Sequence, residues 1–371
     1  MIVETIKKLK EANPESLKRS IESYWGLQIN SLKEILILGF ASEGKRLFNI
    51  CKKNNIKVLG IFDDSSEIIS SNIEGINVKP TKDIQSIDKT IPIIIASHRT
   101  LKIYIKLKKM GFETVIPFMV LQNLDPNIFE PHMFHKGLLD ELINNTENIE
   151  KLVSILEDEK SKKVLDSIIN YRLIGDPMIL NEVVEWELYG PEEIFNYGDD
   201  ETYVDAGTFD GDSIKLFINR VKKYNKVYGF EPDPGTFKKL KNNFNNNNKV
   251  FPINAGLFNK KTKLLFNDEG SRASIISEFG NKEVDLVSLD EFLDGEKVTY
   301  IKMNIEGAES MALEGAKETL SKYKPKLAIS LYHYANDLWK IPFEIKNINP
   351  NYKFYIRQHD GGIIESVLFA K

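Results

Sequence analysis

Two separate runs of strand, turn and helix, divided by a stretch of helical periodicity, limit most strongly what this chain can fold into. In the first run, Ile35-Leu36-Ile37-Leu38-Gly39 reads as a buried strand ending in a glycine turn, and Lys45 to Lys53 as the helix that follows. Val58 to Phe62, Ile91 to Ala96 and Val115 to Pro117 continue it as strands. The second run opens at Glu201, with strands expected at 202–205, 226–230, 250–254, 263–266, 300–304, 327–331, 353–357 and 366–370. Apolar strands that alternate with helices fold as parallel sheets covered on both faces. The expected class is therefore α/β with two Rossmann-like domains, and 371 residues suit two cores. The boundaries read as a helical arm at 1–30, an N-terminal Rossmann-like domain at 31–125, a helical connector at 126–197 and a C-terminal domain at 198–371.

Charge and composition exclude several partners. A net charge of −4 gives no footprint for tracking a phosphate backbone, so nucleic acid is not expected. The single cysteine, Cys51, rules out an intrachain disulfide and suits a reducing cytoplasm. Residues Met1 to Lys18 mix charges throughout and lack the apolar core of a secretory signal. No run approaches the ~18 apolar residues that cross a bilayer, so no transmembrane segment is expected and a cytoplasmic location is.

Chemistry concentrates in the second run. Tyr203-Val204-Asp205-Ala206-Gly207-Thr208-Phe209-Asp210-Gly211-Asp212 closes a strand and opens a helix, the place where parallel sheets bind nucleotides. Gly207 allows backbone to approach a ligand, and Gly211 allows tight helix packing. Asp205, Asp210 and Asp212 would repel a pyrophosphate, so a cationic, phosphate-free nucleoside fits better. S-adenosylmethionine, with its sulfonium and ammonium, is such a ligand. Twenty residues past Gly211, Glu231 in Phe230-Glu231-Pro232-Asp233 ends the next strand, where a carboxylate can accept both hydrogen bonds of a ribose diol.

From about Tyr171 to the C-terminus the chain resembles the FkbM family of methyltransferases. The blocks that carry the resemblance are Arg172-Leu173-Ile174-Gly175-Asp176, the Asp205 loop, Phe230 to Asp233, Val287-Ser288-Leu289-Asp290, Ile301 to Glu309 and Pro325 to Ser330. The resemblance implies a class I methyltransferase fold for the C-terminal domain, S-adenosylmethionine as cofactor and a hydroxyl acceptor, often on a sugar. It also implies that Asp205, Gly207 and Gly211 hold the methionine part, Glu231 the ribose, and Asn254 and Ala255 lie near the adenine, with Phe209, Asp212 and Pro232 also in the cofactor site. One position departs from the family. Asn304 stands where the family has Asp in its Lys-x-Asp-x-Glu-Gly block, and an amide can hydrogen-bond but cannot act as a base.

Methyl transfer to oxygen needs the acceptor positioned and its proton removed. Lys302, Asn304 and Glu306 alternate in sequence, so they are expected on one face as a strand reaches the ligand edge. Glu306 becomes the available carboxylate, and His333, at the end of the next strand, a candidate base. Glu306 with His333 could also hold a divalent metal. Ser271, Arg272 and His359 are candidates for acceptor contacts. The expected partner is a sugar or nucleotide-sugar acceptor, in bacterial surface glycan biosynthesis, and homo-oligomerisation is left open. Asn304 motivates an alternative, a non-catalytic donor- or nucleotide-sugar-binding scaffold.

In the N-terminal domain, Gly39-Phe40-Ala41-Ser42-Glu43-Gly44 with Asp63 at the end of the second strand forms a relaxed dinucleotide fingerprint, since Ala41 replaces its second glycine. With Gly60 to Asp64 and Ile73 to Val78, it resembles nucleotide-sugar-binding N-terminal domains of bacterial sugar-modifying enzymes. A scaffold role, or an oxidoreductase using Gly39 to Asp63, are the competing readings.

Overall fold

A computed structural model describes residues 2–221, 223–266 and 282–371. It divides the chain into two compact units. The first comprises Met1–Glu150, Lys162–Val184 and Asp360–Glu365; the second comprises Lys151–Ser161, Glu185–His359 and Ser366–Lys371. Residues 126–197, expected as a connector, are thus divided between the units.

The first unit is built on β1 (Glu34–Leu38), β2 (Lys57–Phe62), β3 (Asn72–Ile73), β4 (Ile76–Lys79), β5 (Ile93–Ile95) and β6 (Val115–Pro117), in the order β3-β4-β2-β1-β5-β6. All pairs are parallel except β3 with β4. Strand β1 shows why its sequence is apolar throughout. Ile35 and Ile37 enter one core with Phe40, Leu47 and Phe118, while Leu36 and Leu38 enter another with Ile84, Leu107 and Phe112. Both faces of the sheet are buried, as a parallel sheet requires. The β3–β4 hairpin went unread in the sequence because two-residue strands leave no period. In the N-terminal arm, Pro14–Trp25 is a helix opened by Asn13, whose side chain accepts from Ser16 N, and closed by Gly26.

The second unit carries β7 (Thr202–Ala206), β8 (Lys226–Phe230), β9 (Val250–Ile253), β10 (Gly256–Phe258), β11 (Thr262–Phe266), β12 (Lys282–Ser288), β13 (Tyr300–Met303), β14 (Lys326–Ser330), β15 (Phe354–Gln358) and β16 (Ser366–Ala370). Its main sheet runs β15-β16-β14-β13-β7-β8-β9, with β16 antiparallel to both neighbours and the other pairs parallel. Strands β10, β12 and β11 form a small second sheet. The chain runs outward from β7 through β8 to β9, then returns to the other side of β7 as β13. That reversal makes a crevice at the carboxyl ends of β7 and β13, the position where open α/β sheets bind ligands. Beneath it Tyr203 and Tyr300 stack at 4.7 Å between ring centroids, with Phe217 and Phe195 against them. Among the described residues no helix is long and apolar enough to cross a membrane.

Candidate active site

The loop after β7 has no freedom to be anything but glycine at its first turn. Gly207 has φ 73°, and a Cβ there would lie 1.9 Å from the carbonyl oxygen of Asn304. Gly211, also at positive φ, serves packing, since a Cβ would sit 2.2 Å from the Phe244 ring. Between them Phe209 takes a left-handed φ of 52°, unusual for a side chain of its size. Its N–H donates to Glu231 Oε2 at 3.1 Å. The ends of β7 and β8 are therefore tied together through the carboxylate expected at the ribose.

Glu231 is buried, and its other oxygen accepts from Asp233 N at 2.9 Å. Burial, reinforced by the charge of Asp233, raises its pKa to about 7 against the opposing pull of the backbone donors and Lys302. Asn254 Nδ2 donates to the carbonyls of Glu231 (2.9 Å) and Pro232 (3.1 Å), so it holds the turn that carries the carboxylate. Ala255, next to it, is buried. Thr208 Oγ1 is buried at the centre of the loop without a hydrogen-bond partner. Asp212 opens the Asp212–Val221 helix and lies exposed at its start, while Asp210 is half-buried.

Asp205 and Lys302 take places different from those expected of them. They are register partners on the adjacent strands β7 and β13, so their side chains leave the sheet on the same side. Asp205 is fully buried; its Oδ1 lies 2.9 Å from Lys302 Nζ, and its Oδ2 accepts from Ser213 Oγ at 2.5 Å. Lys302 also donates to the carbonyl of Gly207 at 2.8 Å. The pair is a buried ionic brace under the loop, and Lys302 does not present its ammonium as a catalytic group.

The expected alternation of Lys302, Asn304 and Glu306 also fails, because β13 ends at Met303 and Glu306 sits in a turn at φ 55°. The turn is organised by a residue the sequence reading left without a role. Glu309 is buried and accepts from Ile305 N (2.8 Å) and Gly307 N (3.0 Å). Asn304 uses both ends of its amide: Nδ2 donates to the Tyr189 hydroxyl at 3.2 Å and Oδ1 accepts from the Tyr332 hydroxyl at 3.0 Å. The amide thus donates to one hydroxyl and accepts from the other, and it has no basic oxygen for a proton at neutral pH.

His333 is brought to the same turn, 2.9 Å from Glu309 Oε1 through Nδ1 and 3.6 Å from Glu306 Oε2 through Nε2. Burial opposes its charged form, but Glu309, Glu306 and Asp337 outweigh burial and raise the imidazole to about pH 9. The upward shift favours the imidazolium, which has no lone pair for a proton, and so weighs against the expected role of His333 as base. Glu309 is held below the usual carboxylate range: burial pushes it up, and His333 with the backbone donors more than offsets that. Donor atoms of Glu309, His333 and Asp337 lie within 4.8 Å of one another, a grouping that could admit a cation only by displacing the imidazole proton. The expected metal pair of Glu306 and His333 is thus spaced as an ion pair. Of the three carboxylates around His333, Glu306 alone is not fully buried, its side chain 23% exposed.

The remaining candidates divide. His359, past the end of β15, is buried, contacts the carbonyl of Glu185 through Nδ1 at 2.8 Å and packs edge-on against Phe369. Burial holds its pKa below the ordinary value. Ser271 and Arg272 lie outside the described residues.

With this geometry in place, comparison with known proteins is direct. Residues 205–359 match the family model described as the methyltransferase FkbM domain. That stretch of the chain is an FkbM methyltransferase domain. The matched stretch begins at the braced Asp205 and ends at His359, so the FkbM domain contains every loop described above. Residues 31–115 match a second model, described as C2185-like, N-terminal. A crystal structure of methyltransferase FkbM from Methylobacillus flagellatus is similar over 100% of this chain and 99% of that one, with a TM-score of 0.75 at 21% identity. At that identity the likeness bears on the fold, and it extends to both units. Two others overlap partially: a putative methyltransferase from Streptococcus mutans in complex with SAH (14% identity, 53% of this chain and 97% of that, TM-score 0.30) and Aeropyrum pernix fibrillarin with natively bound S-adenosyl-L-methionine (12%, 47% and 69%, 0.31). Such scores carry no functional weight. No curated protein matches the chain.

Proposed function

We propose that this methyltransferase transfers a methyl group from S-adenosylmethionine to a hydroxyl oxygen of a sugar, free or nucleotide-linked, in bacterial surface glycan biosynthesis. The observation that carries the donor is Glu231, fixed at the carboxyl end of β8 by the N–H of Phe209 from the β7 loop. An acid there accepts from ribose hydroxyls. The residues fit the donor in charge as well. Lys302, the cation under the β7 loop, is committed to Asp205, and Asp210, Asp212 and Glu231 leave a net negative site for a sulfonium and an ammonium. The orphaned Thr208 hydroxyl is a further polar group for the ligand to satisfy. When bound, the donor supplies an electrophilic methyl on a positively charged sulfur.

Glu306 is the group we assign to take the acceptor proton. It is the partly exposed carboxylate at the turn after β13, 3.6 Å from His333 Nε2. Asn304 fixes Tyr189 and Tyr332 next to it and has no part in proton removal. The sugar is what the FkbM domain suggests.

The test is calorimetric titration of the full chain with S-adenosylmethionine, followed by transfer of labelled methyl to a panel of sugars and nucleotide sugars. Saturable donor binding lost in Glu231→Ala, with label recovered in an acceptor, supports the proposal. No binding by folded protein sinks the donor assignment. Donor binding with no label in any acceptor favours the non-catalytic reading.

A further inference from the structure

The first unit has its own switch point, which the methyltransferase reading leaves unused. Strand β1 lies between β2 and β5, so the loops after β1 and β5 open a crevice at the carboxyl edge of that sheet. A cavity of about 10 Å³ lies there, lined by Glu43, Ser97, Thr100, Phe118, His135 and Tyr171 among others. Its size admits one water or one ion.

Of the chain's five histidines, His135 lines this cavity, His98 faces His135, and His132 faces Glu43. His98 follows β5, and His132 and His135 flank a single helical turn, Met133–His135. His98 Nδ1 faces His135 Nε2 at 3.3 Å, with the rings inclined by only 26°. The two nitrogens point at one another, one sharing its proton with the other or both free to converge on a cation. Two nitrogens bound to one zinc at ~2.0–2.1 Å in a tetrahedron stand about 3.3 Å apart. Glu43 is buried beside them, with Oε1 at 3.2 Å from His132 Nδ1 and 3.4 Å from Arg46 Nε, and Oε2 at 3.5 Å from Gln122 Nε2. His135 Nδ1 and Gln122 Oε1 are buried without a hydrogen-bond partner.

We propose that His98, His135 and Glu43, with His132 closing the site from the surface, bind one first-row divalent metal ion, zinc in the first instance. Imidazole with a carboxylate is a donor set for such ions and a poor one for magnesium or calcium. Among the described residues no three of these donors lie within 4.8 Å of one another, so the ion draws Glu43 and the partly exposed His132 inward by side-chain rotation.

The test is titration of the full chain, stripped with a chelator, with Co(II), followed by visible absorption and then displacement by Zn(II). The expected result is one equivalent of tetrahedral-type cobalt displaced stoichiometrically by zinc. The His98→Gln/His135→Gln double variant should lose it, and His132→Ala should bind at least tenfold more weakly. Because the double variant replaces two buried groups, His132→Ala, checked for folding by circular dichroism, carries the result if the double variant does not fold. His333→Gln should retain the full signal. No stoichiometric cobalt spectrum from folded protein overturns the proposal. So does undiminished binding in folded His132→Ala, or loss in His333→Gln alone, which would put the ion at Glu309, His333 and Asp337.

Discussion

Replacing Lys302 by methionine removes the cation that faces Asp205 across 2.9 Å, in a place where Asp205 is wholly shielded from water. What remains beside the carboxylate is the Ser213 hydroxyl on Oδ2 and the Tyr203 hydroxyl. Breaking a buried pair by deleting one partner costs about 3–5 kcal/mol, because the stranded charge keeps its desolvation penalty. For a unit of this size, 1 kcal/mol corresponds to about 2–4 °C in melting temperature. The transition of the C-terminal unit should therefore fall by about 6–20 °C in scanning calorimetry. Adding Asp205→Asn should restore much of the loss, since neither charge is then stranded. A catalytic lysine predicts the opposite pattern, with activity gone and the melting temperature unmoved. A fall of less than about 2 °C, or a double variant as unstable as the sum of its parts, would refute the brace.

Three further outcomes follow from the same geometry. Glu306→Gln should lower kcat by about 10²–10⁴-fold, the usual worth of a positioned base, with donor affinity unchanged; equal losses in donor binding would deny it that role. Stability should depend on pH through His333, whose pKa is raised in the fold to about 9. A raised imidazole contributes fully below its unfolded pKa near 6.5 and loses that contribution as pH climbs through 9, here about 3 kcal/mol. Urea unfolding at pH 6 and pH 9 should show the drop in the native protein and a flatter profile in His333→Gln. Asn304→Leu removes one hydrogen bond from each of the hydroxyls of Tyr189 and Tyr332 and should cost about 1–3 kcal/mol, whereas Asn304→Asp should not raise methyl transfer; a large gain would make this position the missing base.

The alternation of apolar strands with helices was legible because a parallel strand buried on both faces must be apolar at successive positions, as Leu36 and Ile37 are on opposite sides of β1. Strands β10 and β12 were not, since β10 spans only three residues and β12 carries the charges of Glu283 and Asp285. Within the site, Glu231 was legible from its distance past the glycine loop, and the structure ties it to that loop. The partnership of Asp205 with Lys302 was hidden, because it depends on the register of β7 against β13, which no local pattern encodes. The protonation of His333 was hidden for a related reason. Its charge is decided by Glu309, and only the left-handed turn at Glu306 brings that carboxylate within 2.9 Å.

The central claim is that Glu231 marks a nucleoside donor site, and calorimetry with S-adenosylmethionine at several pH values tests it most directly. Burial sets the free carboxyl near pH 7, and a cationic donor should lower that value. Affinity should therefore rise with pH up to about 7 and level off above it, with proton release below that pH, and Glu231→Ala should abolish binding. Binding that is independent of pH and survives Glu231→Ala would contradict the account.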